Sequence, residues 1–162
     1  MSGQDGAKAT PQSRGERSAG LAWRVLVADD EPALRLLCRV ALEYDGFIVL
    51  EARDGIEALQ VARLEKPDLI LLDLMMPAQD GWRVATALGA DEMTSRIPIV
   101  FLSALAQAAD RARGLQSGAI GYITKPFDPL QLPATVRDYL EPGDIRQGST
   151  SETARAAPST RR

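Results

Sequence analysis

Apolar residues in this chain fall into short runs, each closed by a polar or turn-forming residue, and the runs alternate with stretches of helical spacing. Arg24-Val-Leu-Val-Ala28 reads as a β-branched strand stopping at Asp29-Asp30-Glu31. Pro32 suits the first turn of a helix, and acids at that end complement its dipole. That helix presents Leu34, Leu37, Val40 and Ala41 as one apolar face, with Cys38 in or near it, and stops at Asp45-Gly46. Phe47-Ile-Val-Leu50 is a second strand. Asp54-Gly55 turns into a helix bearing Ile56, Leu59, Val61 and Leu64, which Lys66-Pro67 ends.

The stretch Leu69-Ile-Leu-Leu-Asp-Leu-Met-Met-Pro77 is apolar almost without interruption, as a central strand covered on both faces should be. It ends on Asp73, and Asp80-Gly81 turns the chain into a shorter helix through Trp82, Val84, Ala85 and Leu88. Gly89 to Arg96 reads as a loop. Ile97-Pro-Ile-Val-Phe-Leu102 is a fourth strand ending at Ser103-Ala104, and a helix follows from Ala108 to Gln116. Gly121-Tyr-Ile-Thr124 is a fifth strand ending at Lys125-Pro126. A last helix spans about Pro129 to Leu140, where Pro133 predicts a late start or a kink. Five strands alternating with five helices predict an α/β fold with a parallel sheet and helices on both faces.

Composition sets the limits of this domain. With 162 residues and 45% apolar content, the chain holds one domain with enough core to fold alone, spanning residues 23–141. Residues 1–22 read as a flexible leader and 142–162 as a disordered tail, because Gly, Ser, Pro and charge replace any apolar period. The net charge is −3; residues 1–24 and 142–162 each hold four cations against two acids, so the middle carries −7. An acidic globule without clustered Lys and Arg is a poor nucleic-acid binder, so direct DNA binding is not expected. One cysteine excludes an internal disulfide framework, and no apolar run approaches a membrane span or a signal-peptide core. A cytoplasmic location follows as the expectation. The absence of histidine removes Ser-His-Asp and Cys-His catalysis and His-ligated metals.

The polar residues at the strand ends carry the chemistry. Strand one supplies Asp29 and Asp30, strand three Asp73, strand four Ser103 and strand five Lys125. Each alone has an ordinary explanation as a cap, a turn or a solvated charge. Together they project from one edge of one sheet, where ligands of open parallel sheets collect. Three close carboxylates raise each other's pKa unless a cation sits among them, and an all-oxygen donor set points to Mg²⁺. A carboxylate beside Mg²⁺, with a hydroxyl and an ammonium nearby, forms a phosphoryl-transfer site whose product is an acyl phosphate on Asp73.

Val25-Leu-Val-Ala-Asp-Asp-Glu-Pro32, Leu71-Leu-Asp-Leu-Met-Met-Pro77 with Asp80-Gly81, Ser103-Ala104 and Gly121-Tyr-Ile-Thr-Lys-Pro-Phe127 match, in order and spacing, motifs of a known family. Over residues 24–141 the chain resembles the receiver domain of two-component response regulators, in its single-domain, chemotaxis-regulator-like form. The resemblance implies a flavodoxin-like (βα)5 three-layer sandwich with strand order 2-1-3-4-5. It implies Asp73 as phospho-acceptor, and Asp29, Asp30, Asp73 and the Met75 backbone carbonyl as Mg²⁺ ligands. Lys125 would pair with the phosphoryl oxygens across a Lys125-Pro126 bond that the family usually holds cis. Ser103 and Tyr122 would form the switch, with Ala104 leaving room for its loop. The implied partners are a sensor histidine kinase or phosphotransfer protein and a downstream protein target. With no output domain expected, the signal leaves through the face of the fourth helix, fifth strand and last helix.

Two departures qualify the resemblance. Met75 and Leu105, at positions that vary in the family, cannot orient a water, which implies slow self-dephosphorylation. Ile120-Gly121 replaces an acid pair that supports a symmetric dimer in many DNA-binding regulators, which argues against that dimer. Ile120, Tyr122 and Leu130 are instead expected to form a small apolar patch. Three other readings stand beside this one. A Mg²⁺-dependent phosphatase or transferase lacks its usual second acid, since Met75 holds that position, and a receiver-like module could bind partners without phosphorylation. Flavin binding lacks its phosphate loop after strand one.

Overall fold

Alternate residues of the central strands face opposite layers, and this period of two organises the molecule. A computed structural model describes residues 20–77, 79–104 and 107–141. Most of the expected leader, the whole expected tail and Leu105 lie outside the described residues.

The strands β1 (Arg24–Ala28), β2 (Ile48–Ala52), β3 (Leu69–Asp73), β4 (Ile99–Ser103) and β5 (Gly121–Thr124) form one parallel sheet. Their order is β2-β1-β3-β4-β5, as the resemblance implied. Between and after them run α1 (Pro32–Tyr44), α2 (Gly55–Glu65), α3 (Gly81–Ala90), α4 (Ala108–Gln116) and α5 (Leu132–Leu140). Val25, Val27, Leu69, Leu71, Val100 and Leu102 pack with Cys38 and Leu42 of α1 and Leu132 and Val136 of α5. The intervening Leu26, Ala28, Ile70, Leu72, Ile99 and Phe101 pack with Ala58 and Ala62 of α2 and Val84, Ala85 and Leu88 of α3. β3 and β4 are buried throughout, so each large apolar side chain there stabilises the fold by about 1.5–3 kcal/mol. The result is a three-layer flavodoxin-like α/β sandwich.

Two helices bury only part of the face their apolar spacing predicts: Leu34 of α1 and Leu59 and Val61 of α2 pack against the core, while Leu37, Val40, Ile56 and Leu64 turn outward. In α1 the stripe Leu34, Cys38, Leu42 faces the sheet, while Leu37 and Val40 are 41% and 59% exposed. In α2 Ile56 and Leu64 are 57% and 82% exposed, and Gly55, Ala58 and Ala62 are buried. Small residues let that helix backbone approach its neighbours closely, so volume rather than hydrophobicity selects the inner face.

Several boundaries also shift. Phe47 precedes β2 and is buried, its N–H donating to the Leu42 carbonyl at 3.1 Å, so it plugs the end of α1. β4 begins at Ile99 and takes in Ser103. The helical part of the expected 89–96 loop extends α3 to Ala90 before turns follow. The last helix starts late, at Leu132, with Pro133 in its second position, where a missing N–H costs nothing.

Candidate functional site: a carboxylate cluster at the C-terminal edge of the sheet

Apolar strand residues deliver each polar side chain to the same sheet edge. Ala28 of β1 is the last residue of its strand, which leaves Asp29 fully buried and Asp30 exposed at its mouth. The Asp29 N–H donates to the Ala52 carbonyl at 3.1 Å, and Asp29 Oδ1 accepts the Glu31 N–H at 2.9 Å. Asp73 closes β3 beside it, 3% exposed, with Oδ1 accepting the Met75 N–H at 3.1 Å. Close approach at Gly81 fixes the loop that follows: a β-carbon there would lie 2.5 Å from the Asp73 carbonyl oxygen, so no larger residue fits. Asp80 caps α3 through the N–H groups of Trp82 and Arg83.

Lys125 reaches this cluster from the end of β5. Its N–H donates to the Ser103 carbonyl at 2.8 Å, and the Lys125-Pro126 bond is cis. Its Nζ lies 2.7 Å from Asp29 Oδ2 and 3.5 Å from Asp73 Oδ2. Carboxylate oxygens of Asp29, Asp30 and Asp73 all lie within 4.8 Å of one another.

The electrostatics follow from this crowding. Burial pushes the Asp73 carboxyl above the ordinary carboxylate range, and the Asp29 charge adds to it, against the Met75 N–H and Lys125. Burial opposes the charged form of Lys125, yet the hydrogen bond and charge of Asp29, joined by Asp73, hold its ammonium above the usual lysine value. The Lys125 ammonium contacts Asp29 and Asp73, while the cluster holds three carboxylates. The remaining negative charge and the all-oxygen donors fit a hard divalent cation of the Mg²⁺ type.

The structure therefore brings Asp29, Asp30, Asp73 and Lys125 together, with Met75 joined through its backbone; the Met75 side chain is 61% exposed. Ser103 is buried at the neighbouring strand end, one residue beyond Leu102, the register partner of Asp73. Tyr122 is not in the cluster. It lies half-buried two residues back along β5, its ring edge-on to Phe101 at 6.4 Å. Leu130 does not join Ile120 and Tyr122: it lines a groove of about 730 Å³ between α1 and α5, with Leu37, Val40 and Tyr44. A residue that sequence reasoning passed over, Arg35, donates from Nη1 to the Asp29 carbonyl at 2.8 Å. Its only sequence signal is a cation next to Leu34 on the inner stripe of α1.

Comparison with known proteins agrees with this architecture. A family model described as the response regulator receiver domain matches residues 25–137. The DNA-binding dual master transcriptional regulator RpaA of Synechocystis sp. is 45% identical over 121 residues, covering 75% of this chain and 50% of that protein. The probable transcriptional regulator ycf27 of Cyanophora paradoxa is 42% identical over 130 residues, covering 80% of this chain and 53% of its own. The chain thus spans about half the length of these curated relatives. Among solved structures, the chemotaxis response regulator CheY4 of Vibrio cholerae superposes with a TM-score of 0.69 at 30% identity, covering 72% of this chain and 98% of that one. Family match, relatives and fold agree, and this chain belongs to the response regulator receiver domains of two-component systems.

Proposed function

We propose that this receiver accepts a phosphoryl group on Asp73 from a sensor histidine kinase or phosphotransfer protein, and reports it to a protein target through α4, β5 and α5. The observation that supports this most directly is the convergence on Asp73 of two further carboxylates and the Lys125 ammonium. A carboxylate oxygen of Asp73 forms the new P–O bond while the donor's P–N bond breaks and its electron pair stays on the imidazole nitrogen. The Met75 N–H, bonded to Oδ1, holds the carboxylate in one orientation for that displacement. Lys125 moves its ammonium from Asp29 and Asp73 toward the phosphoryl oxygens as their charge arrives. Asp29, Asp30, Asp73 and the Met75 carbonyl would hold Mg²⁺, which supplies charge neutralisation at the phosphoryl oxygens when bound.

In the same reading Ser103 turns toward the phosphoryl group, Tyr122 follows inward, and the outer face changes its affinity for the target. The receiver itself acts through protein contact rather than by touching DNA; the acidic balance of residues 25–141 supports this. Loss of phosphate is slow, since the thioether of Met75 offers no group to orient an attacking water. The test is intact mass after incubation with Mg²⁺ and acetyl phosphate, beside Asp73→Ala. A phosphoryl adduct on the wild type that the variant lacks is expected. No adduct on a wild type that binds Mg²⁺ would leave a receiver-like binding module in its place.

A further inference from the structure

Arg35 lies in the second turn of α1, and its side chain is only 12% exposed. Holding a guanidinium there costs desolvation and side-chain entropy, so its partners show what the residue is for. The closest of them is not a carboxylate. Nη1 donates to the backbone carbonyl of Asp29 at 2.8 Å, whereas Nε lies 3.4 Å from Glu51 Oε1 without hydrogen-bond geometry. Glu51 makes its close contact with another arginine, Arg39, at 2.8 Å. An arginine placed for the ion pair alone would turn its fork onto Glu51. Arg35 is aimed instead at the peptide that joins Asp29 to Asp30.

That peptide is the hinge between two of the three acids. The Asp29 N–H is tied to β2 through the Ala52 carbonyl, and its side chain is tied to the Glu31 N–H. The carbonyl is the remaining backbone handle, and its direction sets the plane from which the exposed Asp30 side chain departs. Partners of this kind, one bond removed from a metal ligand, commonly alter affinity by about 10–100-fold when lost.

We propose that Arg35 is a positioning residue of the carboxylate site: through the Asp29 carbonyl it holds Asp29 and Asp30 at the spacing a divalent cation requires. The inference rests on the cation-site reading given above.

The experiment is calorimetric Mg²⁺ titration of wild type, Arg35→Met and Arg39→Met, with circular dichroism and thermal melting in EDTA. Arg35→Met should weaken Mg²⁺ binding about tenfold, by the same outer-partner logic, while Arg39→Met stays within about twofold. Arg35→Lys, which retains one donor for the carbonyl, should recover part of the loss. A merely structural role would lower the melting temperature of Arg35→Met and leave its Mg²⁺ affinity unchanged; that result overturns the proposal. Should the variants not fold, the wild type still decides by NMR. The Arg35 guanidinium resonances should titrate with the same Mg²⁺ midpoint as the Asp29 and Asp30 amides, with Arg39 unmoved; an unresponsive Arg35 overturns the inference. A wild type that takes up no Mg²⁺ at all overturns the cation-site reading instead, and the inference with it.

Discussion

Tyr139 of α5 lies against Gly121 of β5 so closely that any side chain at position 121 would occupy the space of the phenol ring. The glycine is there for room, and it lets α5 seat its tyrosine across the sheet edge. Gly121→Asp should therefore destabilise the protein by about 1–3 kcal/mol, the usual range for overpacking. Urea unfolding of Gly121→Asp, Tyr139→Ala and the double variant checks this. The double variant should be more stable than the two separate losses add up to, and strict additivity would show that the contact does not matter.

Asp73 should be a liability to the resting fold. Burial and the Asp29 charge raise its folded-state pKa, so the ionised carboxylate disfavours the native state at neutral pH. The relation has a definite sign: a raised folded value means that stability is highest below the unfolded carboxylate value and falls as pH rises through the folded one. Asp73→Asn, which keeps an acceptor for the Met75 N–H, should gain on the order of 1 kcal/mol at neutral pH in EDTA. The gain should fade as pH falls and vanish only below about pH 3, under the ordinary unfolded carboxylate value, where wild-type Asp73 is protonated in both states. Urea titrations across that range provide the measurement, and a gain independent of pH would contradict the electrostatic cause.

Lys125 should matter most when no cation is present. Lys125→Met leaves Asp29 and Asp73 facing each other with no ammonium between them, and an unpaired buried charge costs about 3 kcal/mol or more. Mg²⁺ should recover much of that loss, so the melting temperature of the variant should climb more steeply with Mg²⁺ than that of the wild type. For the wild type, Mg²⁺ at about ten times its Kd should add about 1.4 kcal/mol. Thermal melts across a Mg²⁺ series check both statements.

Cys38 should be chemically silent in the folded protein. It is fully buried, and burial, reinforced by the Asp29 charge and opposed by Lys125, pushes its thiol up to about 12. Reaction with a thiol reagent near pH 8, where an exposed cysteine is partly thiolate, should proceed only as fast as the protein opens. Concentrated urea should make it immediate. A fast native reaction would mean that α1 opens readily above the inner face of the sheet.

How far the sequence could be read depended on where chemistry coincided with a break in pattern. Asp29, Asp73 and Lys125 each stand where a strand ends, so a short apolar run followed by a charged residue located them, and the parallel topology placed them on one edge. The inner faces of α1 and α2 were less legible. α1 bears leucines and valine around much of its circumference, so Leu37 and Val40 compete in spacing with Leu34, Cys38 and Leu42, and only the fold decides. α2 buries Ala58 and Ala62 because a helix that must lie close needs small residues, which a count of hydrophobicity ranks last. Arg35 was unreadable for another reason. Its partner is a backbone carbonyl, and a bond to the main chain leaves no trace in the identity of the residue that accepts it.

The order β2-β1-β3-β4-β5 also determines how the molecule meets its own copies. Three strands rich in leucine, isoleucine and valine are sealed inside, and the two with an open flank are the half-buried β2 and β5. One flank holds Glu51 between two arginines; the other has a phenol ring laid over a glycine. A charge cluster and a bulky ring are both poor templates for an added strand. A sheet apolar enough to invite added strands is thus guarded at both margins by the residues that stand there.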